Sequence, residues 1–497
     1  MCRTLQLLTF LSIVGTLFSA PVIAQEKPNI LIITVDDMSC DSVGAFGCKL
    51  SDTTPNIDQL AKEGLKFQRA HVQVGNCYPS RNVLFSSRYP HTSGVEGFFQ
   101  VRDIEFPVMT DLMKAGGYYV AIRGKVSHST PYQPYAWDDD LTIIDGQKMD
   151  MKKPQSYYVS TKRGIDAAKE AGKPFCINVN ISDPHKPFYT GEKDRNQPSK
   201  TFTAEEVPIP GFLFDHPAVR SELAHYYSSV RRADDCVGKI LTALEESGQA
   251  ENTMVMFLSD HGMPLPFAKT QLYHHSTHTP WIVRWPGTVK PGSVDDEHMI
   301  SAIDALPTLL DIAGLDHADG FQGRSFAPLL SGKTQDGRDV VFKEYNEASN
   351  RQRDVMRAVQ TPKYLYIFNP WSDGQRQTRT ATFGTATYRT MVQLAKNNKE
   401  IAAREQLLRK RVLEEFYDVE NDPDCLVNLI DDPKYQAEVN KLRKKLEDWM
   451  EETGDHALAA MQGREDPAAL KAYMRKQAQI SASRGRKNNK TNRTKRN

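Results

Sequence analysis

The sequence predicts an α/β protein with a large, mainly parallel sheet sandwiched by helices, followed by a smaller C-terminal α+β domain. Three observations support this class. Five short apolar runs have the length and composition of buried strands. Helical segments lie between these runs, and such alternation is typical of a parallel sheet covered on both faces. After Asp354 the pattern changes to a strand pair, a short strand and an amphipathic helix.

The helices of the first domain each have a recognisable start, period or end. The first begins at Thr54-Pro55, a threonine N-cap with proline in the first turn, and ends near Gly64. A longer helix with apolar residues on a helical period ends near Gly248, and a third covers residues 302–313. The predicted strands are residues 29–35, 118–122, 175–181, 254–258 and 281–283.

Beyond the first domain, the pattern predicts a smaller domain and a tail. A strand pair turns at Thr361-Pro362, a short strand follows at 415–419, and an amphipathic helix covers 435–452. From Ser481 onward the chain is basic and polar without an acid, a composition typical of disorder. The predicted segments are a signal peptide (1–24), an N-terminal α/β domain (25–354), a C-terminal α+β subdomain (355–480) and a basic disordered tail (481–497).

The composition is that of a globular protein, and the N-terminus is that of an exported one. Hydrophobic residues make up 39% and charged residues 25% of the 497 residues. The net charge of +1 gives no chain-wide field that would indicate nucleic-acid binding. Arg3, the apolar run 5–18 and the small residues before Gln25 form a signal-peptide pattern too short for a membrane anchor. We therefore expect a periplasmic or secreted protein without an integral membrane segment.

Polar residues suited to chemistry follow four of the five predicted strands. In open α/β sheets, ligands bind outside the carboxyl ends of the strands, so these residues are expected to meet at one edge. One such pair alone is more typical of a turn or a helix cap, but four together indicate a functional site. The residues are Asp36-Asp37 after the first strand, Lys125 and His128 after the second, His185 after the third, and Asp260-His261 after the fourth.

Cysteine usage singles out Cys77. Six cysteines remain once Cys2 leaves with the signal peptide, too few for a disulfide scaffold, although Cys40 and Cys48 are close enough in sequence to pair. Cys77 precedes Pro79, which suits the first turn of a helix. A helix N-terminus favours an anion and activates a nucleophile, and the alternative is an inert buried cysteine.

Two motifs give the chain a resemblance to the formylglycine-dependent (type I) sulfatases. The stretch Cys77-Tyr78-Pro79-Ser80-Arg81 resembles the C-x-P-S-R core of the first sulfatase signature, and Gly117-Tyr118 with Gly124-Lys125-Val126-Ser127-His128 resembles the second. Ser86 and Ser87 stand where the family usually has Thr and Gly. The resemblance covers roughly residues 28 to 452. It implies an alkaline-phosphatase-like sulfatase fold, with 25–354 as the catalytic domain.

The resemblance also implies the cofactors. A formylglycine-generating maturation enzyme would convert Cys77 to formylglycine (3-oxoalanine), whose hydrate would attack sulfur with one hydroxyl and release sulfate with the other. One divalent cation per chain would lower the pKa of the attacking hydroxyl. We expect Ca²⁺ rather than Mg²⁺. Many relatives have Asn at the position of His261, whereas members similar to iduronate sulfatases have His there. The implied metal ligands are Asp36, Asp37, Cys77, Asp260 and His261.

The remaining site residues take their expected roles from the same resemblance. Arg81 would hold the aldehyde hydrate, and Lys125 would bridge it to the sulfate, since fixed cations stabilise developing negative charge. His128 is the expected base for the elimination step. His185 is the expected acid at the leaving group, with Lys269 beside it.

The substrate is predicted to be a sulfated saccharide. Residues 263–273 and 356–360 resemble heparan N-sulfatases, although those relatives tend to carry Arg where Lys269 stands. Sulfate release from N-sulfoglucosamine at a non-reducing end is therefore favoured. Three alternatives stay open: an O-sulfatase acting on sulfated polysaccharide or uronate, a phosphodiesterase or phosphatase of the same superfamily, and a non-catalytic polysaccharide-binding protein. Cys77 within C-x-P-S-R disfavours the phosphatase, which would use Ser or Thr.

The cluster His274-His275-x-x-His278 allows two interpretations. It could form a second metal site. A solvated or substrate-facing rim is the favoured interpretation.

Overall fold

The computed structural model describes residues 27–101, 104–132 and 135–494, with backbone alone for 485–494. The predicted signal peptide (1–24) and the end of the predicted tail (495–497) lie outside the described residues. Within this part the strands are β1 (Asn29–Asp36), β2 (Leu65–Phe67), β3 (Ala70–His71), β4 (Tyr119–Arg123), β5 (Asp139–Asp140), β6 (Ile143–Ile144), β7 (Gln147–Lys148), β8 (Phe175–Pro184), β9 (Thr253–Ser259), β10 (Trp281–Arg284), β11 (Ser293–Asp295), β12 (Ile300–Ser301), β13 (Val341–Glu347), β14 (Arg353–Gln360), β15 (Tyr364–Phe368) and β16 (Glu414–Asp418).

The main sheet confirms the predicted class. Its order in the described part of the chain is β11-β2-β10-β9-β1-β8-β4-β5, and the segment from β9 to β5 is parallel throughout. Strand β10 runs antiparallel to both of its neighbours. Every residue of β1 and β9 is buried, as expected for central strands covered on both faces.

The helices pack in two groups. Helices α1 and α5 both contact α6, and α4 and α8 both contact α2. Thr54 precedes α1 as predicted, but its hydroxyl accepts a hydrogen bond from Gly44 N (2.9 Å) instead of capping the helix. The helices are α1 (Pro55–Glu63), α2 (Cys77–Ser86), α3 (Pro90–Ser93), α4 (Met109–Ala115), α5 (Pro154–Glu170), α6 (Pro217–Glu246), α7 (His274–Thr277), α8 (Ala305–Ala313), α9 (Ala327–Leu330), α10 (Ala386–Leu394), α11 (Lys399–Lys410), α12 (Gln436–Glu452), α13 (Leu458–Gln462) and α14 (Pro467–Thr494).

A second, antiparallel sheet has the order β13-β14-β15-β16. Strands β14 and β15 are the predicted pair, and α12 packs against both of them with its apolar face buried. The sheet begins with β13, so the boundary expected at Asp354 falls inside it. The reason is that β13 pairs along its length with β14. One apolar core runs through both parts of the chain.

Residues 481–494 of the predicted tail belong to α14, which extends through Thr494. The Ser481 hydroxyl donates to Arg351 O (2.7 Å), and the Arg484 guanidinium pairs with Glu347 and lies over the Phe99 ring. The packed first half of the helix removes the nucleation penalty, and Lys and Arg then extend it readily.

Two further features concern the chain as a whole. Among the described residues, Cys40 and Cys48 are free thiols, as are the other cysteines, so the pair that the sequence allowed is not formed. None of the described helices combines the length and the apolar character needed to cross a bilayer.

Candidate active site

Neighbouring strands bring three carboxylates to one edge of the main sheet. Asp36 ends β1, Asp37 follows it, and Asp260 follows the adjacent parallel strand β9. Asp37 N donates to the Asp260 carboxylate (3.0 Å) and Asp260 N donates to Val35 O (3.1 Å). Asp37 adopts a positive φ of 72°, which a non-glycine residue retains only where its surroundings fix it. The two strand ends are therefore locked together.

Helix α2 adds Cys77 and Arg81 to this edge. Cys77 is the first residue of the helix and is only 4% exposed. Residues three and four positions further along share its face, so Ser80 and Arg81 also meet the strand ends. The Ser80 hydroxyl donates to Asp260 O (2.7 Å) and Arg81 Nε donates to the Asp260 carboxylate (3.1 Å). Arg81 Nη2 forms an ion pair with the same carboxylate (2.9 Å).

The donor atoms form a group that fits a divalent cation. Ligand atoms of Asp36, Cys77, Asp260 and His261 all lie within 4.8 Å of one another. His261 donates through Nδ1 to Gly262 O (3.0 Å), which leaves Nε2 facing Asp37 Oδ1 (3.1 Å) without a hydrogen bond. Neither oxygen of Asp36 accepts a hydrogen bond. Buried acceptors that converge in this way are the arrangement that a cation satisfies.

Nearby charges shift the pKa values of the aspartates in this group. Burial opposes ionisation of Asp36, but Lys125 and Arg81 outweigh it and hold the pKa of that carboxyl well below its usual range. Burial and the nearby Asp36 carboxylate raise the pKa of Asp260. The site thus keeps negative charge that a bound cation would stabilise further.

Two lysines pair with two of the aspartates. Lys125, at a positive φ of 52° after β4, forms an ion pair with Asp36. Lys269 Nζ donates to both oxygens of Asp37 (2.6 and 2.7 Å) and is 5% exposed. A buried lysine of this kind requires a paired anion. Both ammonium groups therefore have fixed positions beside Cys77.

The predicted catalytic histidines and Cys77 line the same pocket. Its volume is about 370 Å³, and Lys125 and Lys269 also line it. Burial lowers the pKa of His128 to about 3, so the ring is neutral, and its Nδ1 has no hydrogen-bond partner. His185 donates through Nδ1 to Lys186 O (2.7 Å), which leaves Nε2 available.

The thiol of Cys77 is not activated. Burial raises its pKa to about 12, and Asp36 reinforces this shift, while Lys269 and Lys125 oppose it only in part. Burial therefore works against the thiolate that a helix N-terminus favours. An unmodified Cys77 is a poor nucleophile at neutral pH.

Several site residues carry no motif and were missed by the sequence analysis. Asn180, on β8, contacts Arg81 through its carbonyl oxygen and donates to Gly124 O (3.0 Å), so it links Arg81 to the Lys125 loop. Its polar side chain within a buried strand was the available signal. The other missed residues line the pocket from the C-terminal part of the chain: Ala348, Ser349, Asn350, Arg379, Thr380, Ala381 and Phe383.

The histidine cluster does not form the expected rim, because none of its three residues lines the pocket. His274 and His278 stack on each other with ring centroids 4.6 Å apart, and both pack against buried His71. Lys343, fully buried on β13, contacts Gln360, which bonds to His274 Nδ1 (2.9 Å). Burial lowers the pKa of His278 to about 4 and that of Lys343 to about 7. The described groups able to hold a metal do not include this cluster.

The fold and this site define a sulfatase. The model of the sulfatase family matches residues 28–315, more than half of the chain, and the chain belongs to that family. A second model, described as N-sulphoglucosamine sulphohydrolase, C-terminal, matches residues 260–373. The protein is therefore a sulfuric ester hydrolase, as the sequence predicts, and the phosphatase and non-catalytic alternatives are set aside.

Named relatives agree with this family. Human N-sulphoglucosamine sulphohydrolase is 27% identical over 477 residues, covering 88% of this chain and 92% of that protein. An ulvan-active sulfatase of Formosa agariphila is 28% identical over 434 residues, covering 86% of this chain and 81% of that protein. A solved structure of a protein in complex with its substrate D-glucosamine-2-N,6-O-disulfate has a TM-score of 0.65 at 18% identity, covering 86% of this chain and 99% of that one. The predicted alkaline-phosphatase-like sulfatase fold is confirmed.

Proposed function

We propose that the protein releases sulfate from a sulfated saccharide, with N-sulfoglucosamine at a non-reducing end as the preferred substrate. The convergence of Cys77, Arg81, Lys125, Asp36 and Asp260 at the base of one pocket supports the chemistry. The match of residues 260–373 to the N-sulphoglucosamine sulphohydrolase C-terminal model supports the choice of sugar.

The proposed reaction uses Cys77 in modified form. Converted to formylglycine by a maturation enzyme and hydrated, this residue supplies one hydroxyl to attack sulfur and a second to release sulfate. The unmodified thiol is buried and protonated, so it does not substitute for that group. Arg81, fixed by Asp260, orients the modified side chain, and Lys125 neutralises charge on the sulfate.

The two histidines divide the proton transfers. His128, whose Nδ1 has no hydrogen-bond partner, accepts a proton. His185 donates from Nε2 to the departing amine or alcohol, since its Nδ1 is held by Lys186 O. Lys269 places a second fixed cation beside the leaving group.

A divalent cation fits the group formed by Asp36, Cys77, Asp260 and His261, and Asp37 faces His261 beside it. Ca²⁺ is proposed because it prefers carboxylate oxygens. When bound, it supplies Lewis-acid stabilisation of oxygen at the reacting centre. The nitrogen of His261 is its softer ligand. Export to the periplasm or medium is proposed from the N-terminal signal pattern.

The assay offers N-sulfoglucosamine and glucosamine 6-O-sulfate separately and measures free sulfate. We expect faster release from the N-sulfated sugar, and no release from either by a Cys77→Ala control. An O-sulfatase is the second candidate, because Lys269 replaces the Arg of heparan N-sulfatases and the ulvan-active sulfatase is equally similar. Release from the O-sulfated sugar alone would refute the N-sulfatase choice and retain the sulfatase.

A further inference from the structure

The active-site pocket has a wall that the catalytic α/β domain does not supply. Two segments of the C-terminal part form it: the turn at Ala348, Ser349 and Asn350, after β13, and the stretch from Arg379 to Phe383, between β15 and α10. A substrate whose sulfate lies at Cys77 extends from the base of the pocket toward this wall. The wall is therefore placed to contact the rest of the saccharide.

Arg379 is the charged residue of this wall. Its side chain is exposed and lines the pocket, and it makes no hydrogen bond or ion pair with any residue that the structure describes. Arg376, three residues earlier, contrasts with it, because its guanidinium pairs with Asp354 (2.9 Å) and donates to Arg353 O (2.8 Å). Arg376 thus uses the nearby Asp354 carboxylate, whereas the guanidinium of Arg379 does not.

The backbone that carries Arg379 is held on both sides. Arg379 N donates to the Asp354 carboxylate (3.2 Å), and the preceding Thr378 hydroxyl donates to the same oxygen (2.9 Å). The following Thr380 hydroxyl contacts the Thr270 hydroxyl, and Thr270 is next to catalytic Lys269. Because the backbone is already anchored, only the rotamer freedom of the arginine side chain is lost when it binds an anion.

The charges of the pocket lining are of one sign. No acidic residue is among the described residues that line it, and Lys125 and Lys269 are already paired with Asp36 and Asp37. Arg379 is the lining cation without a partner in the described chain. Phe98 and Phe383 give the same lining two apolar surfaces.

We propose that Arg379 recognises a second anionic group on the saccharide, in addition to the sulfate that is removed; this rests on the proposed function. The group is a sulfate on the same sugar or the carboxylate of an adjacent uronate, because a guanidinium binds both with paired N–H donors. Arg379 would then select multiply charged saccharides over sugars with a single sulfate.

The test compares KM and kcat for three saccharides. N-sulfoglucosamine carries one anionic group, D-glucosamine-2-N,6-O-disulfate adds a sulfate, and N-sulfoglucosaminyl-glucuronic acid adds a carboxylate. Three enzymes are compared: the wild-type protein, Arg379→Gln and the matched control Arg475→Gln. Arg475 is an exposed arginine of α14 outside the pocket. Free sulfate is measured at low and high ionic strength.

We expect Arg379→Gln to raise the ratio of KM for a doubly charged saccharide to KM for N-sulfoglucosamine by about tenfold, with kcat little changed. A change with the disulfate identifies the second anionic group as a sulfate, and a change with the disaccharide identifies it as a carboxylate. Added salt should reduce the effect, since the arginine is exposed. The control should keep the original ratio.

Equal KM changes for all three saccharides, or none, would overturn the role of Arg379 and leave the proposed function standing. If the wild-type protein released sulfate from none of the saccharides, both the role of Arg379 and the proposed function would be overturned. The two failures are therefore distinguishable in one experiment.

Discussion

Replacing Lys343 by methionine should stabilise the protein at neutral pH. Lys343 lies fully buried on β13, where its ammonium contacts Gln360 and faces the imidazoles of His71, His274 and His278. Burial lowers its pKa from 10.5 to about 7. Methionine has a similar shape without the charge, so the packing of the site should survive the change.

The magnitude follows from the pKa difference. In the unfolded chain the lysine is protonated up to about pH 10.4, whereas in the folded chain it releases its proton near pH 7. At 1.36 kcal/mol per pH unit, burying the amine destabilises the fold by about 4 kcal/mol at pH 7. Loss of the bond to Gln360 offsets about 1–3 kcal/mol of the gain from removing it. A net stabilisation of about 1–3 kcal/mol remains.

The sign of the pH dependence is fixed by the same shift. The folded pKa is depressed, so the penalty is complete below pH 7, declines as pH rises toward 10.5, and vanishes above that. Urea unfolding at pH 7 and pH 9.5 should show the advantage of Lys343→Met falling by about 3 kcal/mol. Lys476→Met, on the exposed face of α14, is the control and should show no such change. A Lys343→Met protein less stable than the original at pH 7, with a difference independent of pH, would refute the reasoning.

Two further predictions concern the site. Asp260→Asn should abolish both bound divalent metal, measured by elemental analysis, and sulfate release, whereas exposed Asp296→Asn should change neither; full metal content in Asp260→Asn would contradict the ligand assignment. His185→Gln should lower kcat for a sugar sulfate by about 10²–10⁴ relative to kcat for 4-nitrophenyl sulfate, because an activated phenolate departs without a proton. Equal losses on the two substrates would show that His185 is not the acid.

The residues at the base of the pocket were predictable because topology places them. Asp36 and Asp260 follow neighbouring parallel strands, and parallel strands end at the same edge, so two positions distant in sequence are brought together by the sheet itself. Cys77 and Arg81 share a helix face, which fixes their relation locally.

The outer wall could not be predicted in this way. Arg379 and Thr380 lie on a segment without motif or period, and their place beside Thr270 depends on how the second sheet docks on the first. The interpretation of the histidine cluster as a solvated or substrate-facing rim is wrong, because His274 and His278 pack against buried His71. Burial keeps these two imidazoles neutral.

The tail shows the limit of composition as evidence. A basic run without acids is typical of disorder, yet here it continues a helix whose first turns are packed by Leu470 and Met474. Long-range contacts of Arg484 with Glu347 and Phe99 reinforce it. Composition alone contains no information about such partners.

The state of Cys77 is the decisive observation for the proposed chemistry. Trypsin cleaves after Arg69 and Arg81, so the residue lies on a peptide covering residues 70–81. Mass spectrometry of that peptide, taken from protein that releases sulfate, should find the aldehyde, and a hydrazide reagent should shift its mass. Cys77→Ser should be inactive, because a single hydroxyl cannot expel the sulfate it accepts. Full activity in protein whose peptide carries only the unmodified thiol would contradict the account.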